Sequence, residues 1–310
     1  MLFPLRSGLL TAGLLWLLTP PALLSQVERR EPLAIAPGTP VESGLAGGES
    51  HSYLVAVQAG HPLLITVDQR GTDVEIEAAG PDGRSLGVVD TPTGREGPES
   101  LLLDGGAAGA WRVVVRSPGK AAPPGRYEIR VEELPQGTAA ERERVAAERL
   151  ATEGARLRKK GTAEAAREAV ARYTEAAGHW RALGRRREEA TALYVLASLH
   201  GALSDARQAL GAYRQAMALW EALGEPDRQA DVLSAMGLAH WALGEDKEAL
   251  AVFERAIALR QSRGDRAGEA SALNNLCLLH HSQGRLDDAL ACYQRALALF
   301  REAGEAGGEA

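Results

Sequence analysis

The sequence predicts a multidomain β-plus-α chain, an N-terminal antiparallel β-sandwich followed by an α-solenoid of helical hairpins. Two observations carry that expectation. From about Pro37 to Leu134 apolar and polar residues alternate with period two, whereas from Thr138 onward apolar residues recur with period 3.6. In addition, "LGEDKEALAVFERAIAL", beginning at Leu243, returns forty residues earlier from Leu203 as "LSDARQALGAYRQAMAL" and forty residues later from Gln283 as "QGRLDDALACYQRALAL".

The first element to justify is the leader, at residues 1–25. Arg6 supplies a positive start, Leu9 to Leu18 is an apolar run too short to span a bilayer comfortably, and Pro20, Pro21, Ala22 and Ser25 follow it. This is the pattern of a secretory signal, so the protein is expected to be exported to the periplasm or the extracellular space. A linker at residues 26–36 leads to the sandwich at residues 37–135. There "SYLVAVQ", "PLLITVDQ", "DVEIEAAG", "WRVVVRS" and "GRYEIRVEEL" read as half-buried strands, separated by turn signals such as "GPDGR" and "SPGKAAPPG". About seven short strands are expected, with Trp111, Tyr53 and Tyr127 as their large core residues.

Thr138 with Glu141 three residues on has the spacing of a capping box, and opens a divergent first hairpin at residues 138–184. Three forty-residue units follow at residues 185–303, and residues 304–310 copy the opening of another. Small residues recur where paired helices must approach, at Ala209, Ala249 and Ala289 and again at Ala216, Ala256 and Ala296. Rings recur between them at Tyr213, Phe253 and Tyr293. One hairpin cannot bury its apolar face alone, but a stack can, because each member covers the next.

Composition excludes some functions. Net charge is −6. Gln26 to Gly137 holds 10 basic and 16 acidic residues, and Thr138 to the end 24 and 25, so neither half carries the basic stripe of a nucleic-acid binder. The two cysteines, Cys277 and Cys292, are too few for a disulfide scaffold.

These forty-residue units resemble tetratricopeptide repeats of the kinesin-light-chain type. The order of leader, "GESHSYLVAVQAGHPLLITVDQRGTDVEIEAAGPDG", helical linker and repeats is similar to the N-terminal part of bacterial exported tetratricopeptide proteins that often carry a C-terminal CHAT domain, a caspase-like cysteine peptidase module. The β-part is similar to the pre-peptidase C-terminal type of sandwich. The resemblance implies a scaffold that binds a peptide or protein. It implies no peptidase activity in this sequence, which ends before a domain with the required His and Cys. The alternative is that the chain is the N-terminal regulatory part of such a peptidase.

Candidate chemistry is sparse, and no cofactor, metal or catalytic residue is expected. His200, His240 and His280 are spaced by forty, which puts them roughly 10 Å apart, on the order of one helix-packing distance and too far to share a metal. They read as interior rings. Cys277 and His280 share a helical face, but Cys277 occupies the small-residue site of Ala197 and Gly237, where a buried thiol is inert. Asp68, Asp73, Asp82, Asp90 and Asp104 flank strands without the dense spacing of a calcium loop and read as solvated turns.

The expected binding residues line the exposed side of the first helix of each hairpin: Tyr194 and Ser198; Ser234, Leu238 and Trp241; Asn274, Asn275, Leu278 and His281. Paired amides can bond an extended peptide backbone, and Trp241 offers apolar area with a polar tip. This groove reads as nearly neutral and mildly apolar, and no membrane span is expected in the mature form. The last helix bears Leu290, Leu297 and Phe300 with no following repeat to cover them, so self-association through that end is a further expectation.

Overall fold

The alternating segment folds into nine strands among the described residues: β1 (Leu33–Ile35), β2 (Val41–Leu45), β3 (Ser50–Val57), β4 (Leu63–Arg70), β5 (Glu75–Ala79), β6 (Ser85–Val89), β7 (Glu96–Leu103), β8 (Gly109–Arg116) and β9 (Gly125–Glu133). The structure is a computed structural model that describes residues 31–91, 96–120 and 122–308, so the leader lies outside the described residues. The strands form two sheets, ordered β1-β3-β8-β5-β6 and β2-β9-β4-β7. Pairing is antiparallel everywhere except where β1 lies parallel on β3. Side chains that alternate inward from both sheets meet in one core, with Val55, Ile76 and Val113 from one sheet and Ile65, Leu101 and Ile129 from the other. Tyr53, Trp111 and Tyr127 are buried in it as the period-two pattern predicts. Tyr127 is fully buried and would be costly without a hydrogen bond, and its Oη lies 2.7 Å from His51 Nδ1 and also meets Tyr53 Oη.

Among the described residues, eight helices follow in four antiparallel hairpins: α1 (Ala139–Lys159) with α2 (Ala163–Ala182), α3 (Arg186–Ala202) with α4 (Ala206–Leu223), α5 (Pro226–Ala242) with α6 (Asp246–Arg263), and α7 (Arg266–Ser282) with α8 (Leu286–Gly308). The capping box forms: Thr138 Oγ1 accepts from Glu141 N–H and the Glu141 carboxylate accepts from Thr138 N–H. Gly224 and Gly264 end α4 and α6 in the left-handed region, which suits a residue without a Cβ. Gly304 occupies the same register but lies inside α8, which continues to Gly308. The histidines at the forty-residue spacing lie in the last turns of α3, α5 and α7. Each accepts a backbone bond from the residue five positions on, Asp205, Glu245 or Arg285, and the His240 ring meets the Glu245 carboxylate at 2.6 Å. Only His240 is a buried ring; His200 and His280 are half-buried.

The two parts join through α1. Leu64, Leu102 and Leu134 on the outer face of the second sheet pack with Val145, and Ala155 reaches the core between the sheets. Strand β7 is an edge, and Thr152 Oγ1 accepts a bond from Leu102 N–H there, which satisfies a donor that an edge strand otherwise leaves open. Asp90 is not a solvated turn residue. Its carboxylate pairs with Lys159 Nζ at 2.7 Å and Arg158 at 3.5 Å, at the end of α1, and Lys159 also pairs with Glu75. Asp73 lies beside them, its carboxyl pushed up to about 6 by burial first and then by Asp90 and Glu75.

Further along α1, Glu148 is buried, and burial raises its carboxyl from an ordinary 4.5 to about 7 although Arg144 opposes the shift. Below pH 4.5 the group is neutral in both the folded and the unfolded chain. Between 4.5 and 7 the unfolded chain releases its proton first, so stability falls, and above 7 the loss is complete. Allowing for relaxation around the charged form, the loss is about 2 kcal/mol. Glu148→Gln is therefore expected to stabilise the protein by that amount at pH 8 and to change nothing at pH 4. Urea unfolding at the two pH values checks it, and an equal shift at both would refer the effect to packing instead.

Candidate functional site

The site is built by the first helix of each hairpin. In the repeat register Ser198, Leu238 and Leu278 stand in line on α3, α5 and α7, with Tyr194, Ser234 and Asn274 one turn before them. These helices face the same way because the second helix of each hairpin lies behind them, held close by Ala209, Ala249 and Ala289, all buried. Leu238 and Leu278 are 42% and 37% exposed, which makes them two of the few large apolar side chains that the described residues leave open. His281 is exposed as well, and Ser234, Asn274 and Asn275 are half-buried.

Other expected site residues are less available. Tyr194 is largely enclosed: its ring lies 5.7 Å from that of Tyr213 and burial raises its hydroxyl pKa. The Ser198 hydroxyl is turned onto its own helix, donating to Val195 C=O at 2.8 Å. Trp241 packs against the cluster around Phe253 and Leu273, so only part of the ring remains for a ligand. The line that stays open runs from Leu238 to Leu278.

Beside it lies a charged group that the sequence reading passed over. Arg260 on α6 reaches Asp231 on α5 and pairs with Asp265 at 2.8 Å, and Arg228 meets Asp231 at 3.5 Å. Burial pushes the Asp231 carboxyl up, and Arg260 and Arg228 hold it down. The signal was present in the register: Arg260 replaces Trp180 and Trp220, both buried rings, and a cation in a ring's place requires an acid within reach. Gly97, at φ +92°, sets the start of β7 against the Arg228 guanidinium, where a Cβ would overlap it. The groove is thus apolar along Leu238 and Leu278 and charged at the end of α5 nearest the sheets.

The cysteines differ from expectation. Cys277 and Cys292 are joined in a disulfide between α7 and α8, with Cα atoms 5.4 Å apart, so Cys277 is not an unpaired buried thiol and no Cys277–His280 nucleophile forms. Among the described residues no His, Cys, Asp and Glu side chains are grouped to hold a metal ion, and no described helix is long and apolar enough to cross a membrane.

Comparison with known proteins places the same repeats. Residues 188–262 and 270–302 match two families that are each described as tetratricopeptide repeat. No curated protein matches. Among solved structures, the chain is similar to aspartyl phosphate phosphatase F from Bacillus subtilis, at 17% identity over 54% of this chain and 43% of that one, with a TM-score of 0.48. This chain thus spans less than half the length of that protein. It is similar to the kinesin light chain TPR-like repeats of Podosopora anserina, at 16% identity over 53% and 85% of the two chains, with a TM-score of 0.43. It is also similar to the pre-peptidase C-terminal domain of collagenase from Bacillus anthracis, at 17% identity over 33% and 95%, with a TM-score of 0.28.

Proposed function

We propose that this chain, whose C-terminal half carries tetratricopeptide repeats, is an exported, non-enzymatic scaffold that holds a peptide or protein segment along the α3, α5 and α7 face. The observation that carries this is the open apolar line of Leu238 and Leu278, with the Asn274 and Asn275 amides beside it. Apolar side chains left open in register on adjacent helices suit the alternate side chains of an extended segment, and the amides suit its backbone. The Arg228, Asp231 and Arg260 group next to the line favours a segment of mixed character with a charge at one end. Export is supported by the leader pattern around Arg6 and Leu9 to Leu18 and by the Cys277–Cys292 disulfide, since such bonds persist in oxidising compartments such as the periplasm or the extracellular space. The exposed face of α8 makes self-association part of the same proposal.

The test is a peptide display selection against the chain, followed by affinity measurement with Leu238→Ser/Leu278→Ser, which copies the residue at position 198. Each leucine buried by a ligand contributes about 1.5–3 kcal/mol, so the double variant is expected to bind selected peptides at least about tenfold more weakly. Unchanged affinity for every selected peptide would remove the groove assignment.

A further inference from the structure

Among the described residues, α8 leaves open a face that α4 and α6 bury. Leu286, Leu290, Leu297 and Phe300 are 62%, 59%, 50% and 43% exposed, and Tyr293 among them is half-buried. In α4 the equivalent residues Leu210 and Trp220 are buried, and in α6 Ile257 is buried, because α5 and α7 lie antiparallel across them. The open face of α8 is therefore shaped to receive one more antiparallel helix.

The spacing says which. Leu286, Leu290, Tyr293, Leu297 and Phe300 are four, three, four and three residues apart, the seam of an antiparallel or parallel helix pair. The seam spans roughly 21 Å at the helical rise. One flank is Ala289 and Ala296, both turned inward and buried. The other flank is Asp287, Gln294 and Arg301, all exposed, and neither Asp287 nor Arg301 is in an ion pair with another described residue. If a second α8 is laid antiparallel with Tyr293 near the two-fold axis, Leu286 falls opposite the partner subunit's Phe300 and Leu290 opposite the partner subunit's Leu297. Asp287 then faces Arg301 of the partner subunit, and Gln294 lies at the axis. A parallel pair would set this flank against the partner subunit's alanine flank and form no pair between Asp287 and Arg301.

We propose that two copies of this chain associate through α8 against α8, antiparallel, each supplying the helix that covers the open apolar face of the other's α8. This rests on the self-association part of the proposed function and is independent of the groove. An isologous contact of this kind closes after two copies.

Sedimentation equilibrium of the full chain tests it. The expected result is a monomer–dimer equilibrium that Leu297→Glu weakens roughly a hundredfold or more, since a charge would be buried in the seam. Asp287→Arg alone and Arg301→Asp alone are each expected to weaken it roughly tenfold, because both copies then lose a pair and gain a repulsion. The double exchange Asp287→Arg/Arg301→Asp restores the dimer, and mixing the two single variants yields a heterodimer stronger than either alone. The exchanges are at exposed positions and keep the test valid should Leu297→Glu fail to fold. A chain monomeric up to roughly 100 μM, or a dimer indifferent to the charge exchanges, would overturn the proposal. Loss of peptide binding by the Leu238 and Leu278 variant would leave it untouched.

Discussion

Phe253→Ala is expected to cost about 3–5 kcal/mol of solenoid stability. Phe253 is fully buried at the middle of the row, in the cluster that joins α5, α6, α7 and α8. Its ring lies directly on Gly237, so closely that a Cβ there would overlap it. The neighbouring repeats carry Ala197 and Cys277 at that register, with Tyr213 and Tyr293 as the rings, and neither tyrosine is as deeply enclosed as Phe253. The middle hairpin has thus exchanged a methyl on one helix for a deeper ring on the other. Removing the ring leaves a cavity lined on one side by backbone, and a close-packed backbone collapses poorly. Stability in a stack is shared between nearest neighbours, so the loss should also uncouple the α5–α8 half from the α1–α4 half. Urea unfolding followed by helical circular dichroism is expected to change from one transition to two. A single transition shifted by less than 1 kcal/mol would show that the neighbouring side chains refill the space.

That redundancy is why so much of the helical half was legible. A position in a repeat is read several times, so Ala209, Ala249 and Ala289 together specify a close helix contact that one alanine could not. The capping box at Thr138 was legible for a different reason, because its chemistry lies within four residues. Residues coupled across long sequence distances were less legible. Asp90 looked like a turn residue until α1 brought Lys159 to it, and Gly97 gave no sign of meeting Arg228. The register of the α3, α5 and α7 faces was legible, but the exposure of their side chains was not. Whether Tyr194 stays open depends on how closely the Tyr213 ring packs on it, which spacing does not encode. Gly304 shows the limit of register itself. A glycine ends a helix only where the chain turns back to pack, and otherwise it costs the helix about 1 kcal/mol and is carried through.

The two cysteines are too few for a disulfide scaffold, yet the hairpin register brings Cys277 and Cys292 together in one bond, and from this the second large effect follows. Cys277→Ala/Cys292→Ala is expected to destabilise the last hairpin by about 3 kcal/mol, the loop-closure value for a crosslink of this span, whose sequence separation is 15. Alanine is the right probe, because Ala197 and Ala212 occupy the equivalent sites of the first regular repeat, so shape is largely kept while the bond is lost. The effect should be local. Among the described residues α8 packs chiefly on α7 and keeps an exposed apolar face, which makes this hairpin the segment that opens most readily. Amide hydrogen exchange should therefore rise about a hundredfold across α8 in the double alanine variant and stay unchanged in α2 and α3. If α8 forms the face on which two copies meet, the same variant should also dimerise more weakly, because a helix that opens readily must be ordered again on binding. Unaltered exchange in α8 would mean that packing against α7 alone holds the end of the solenoid.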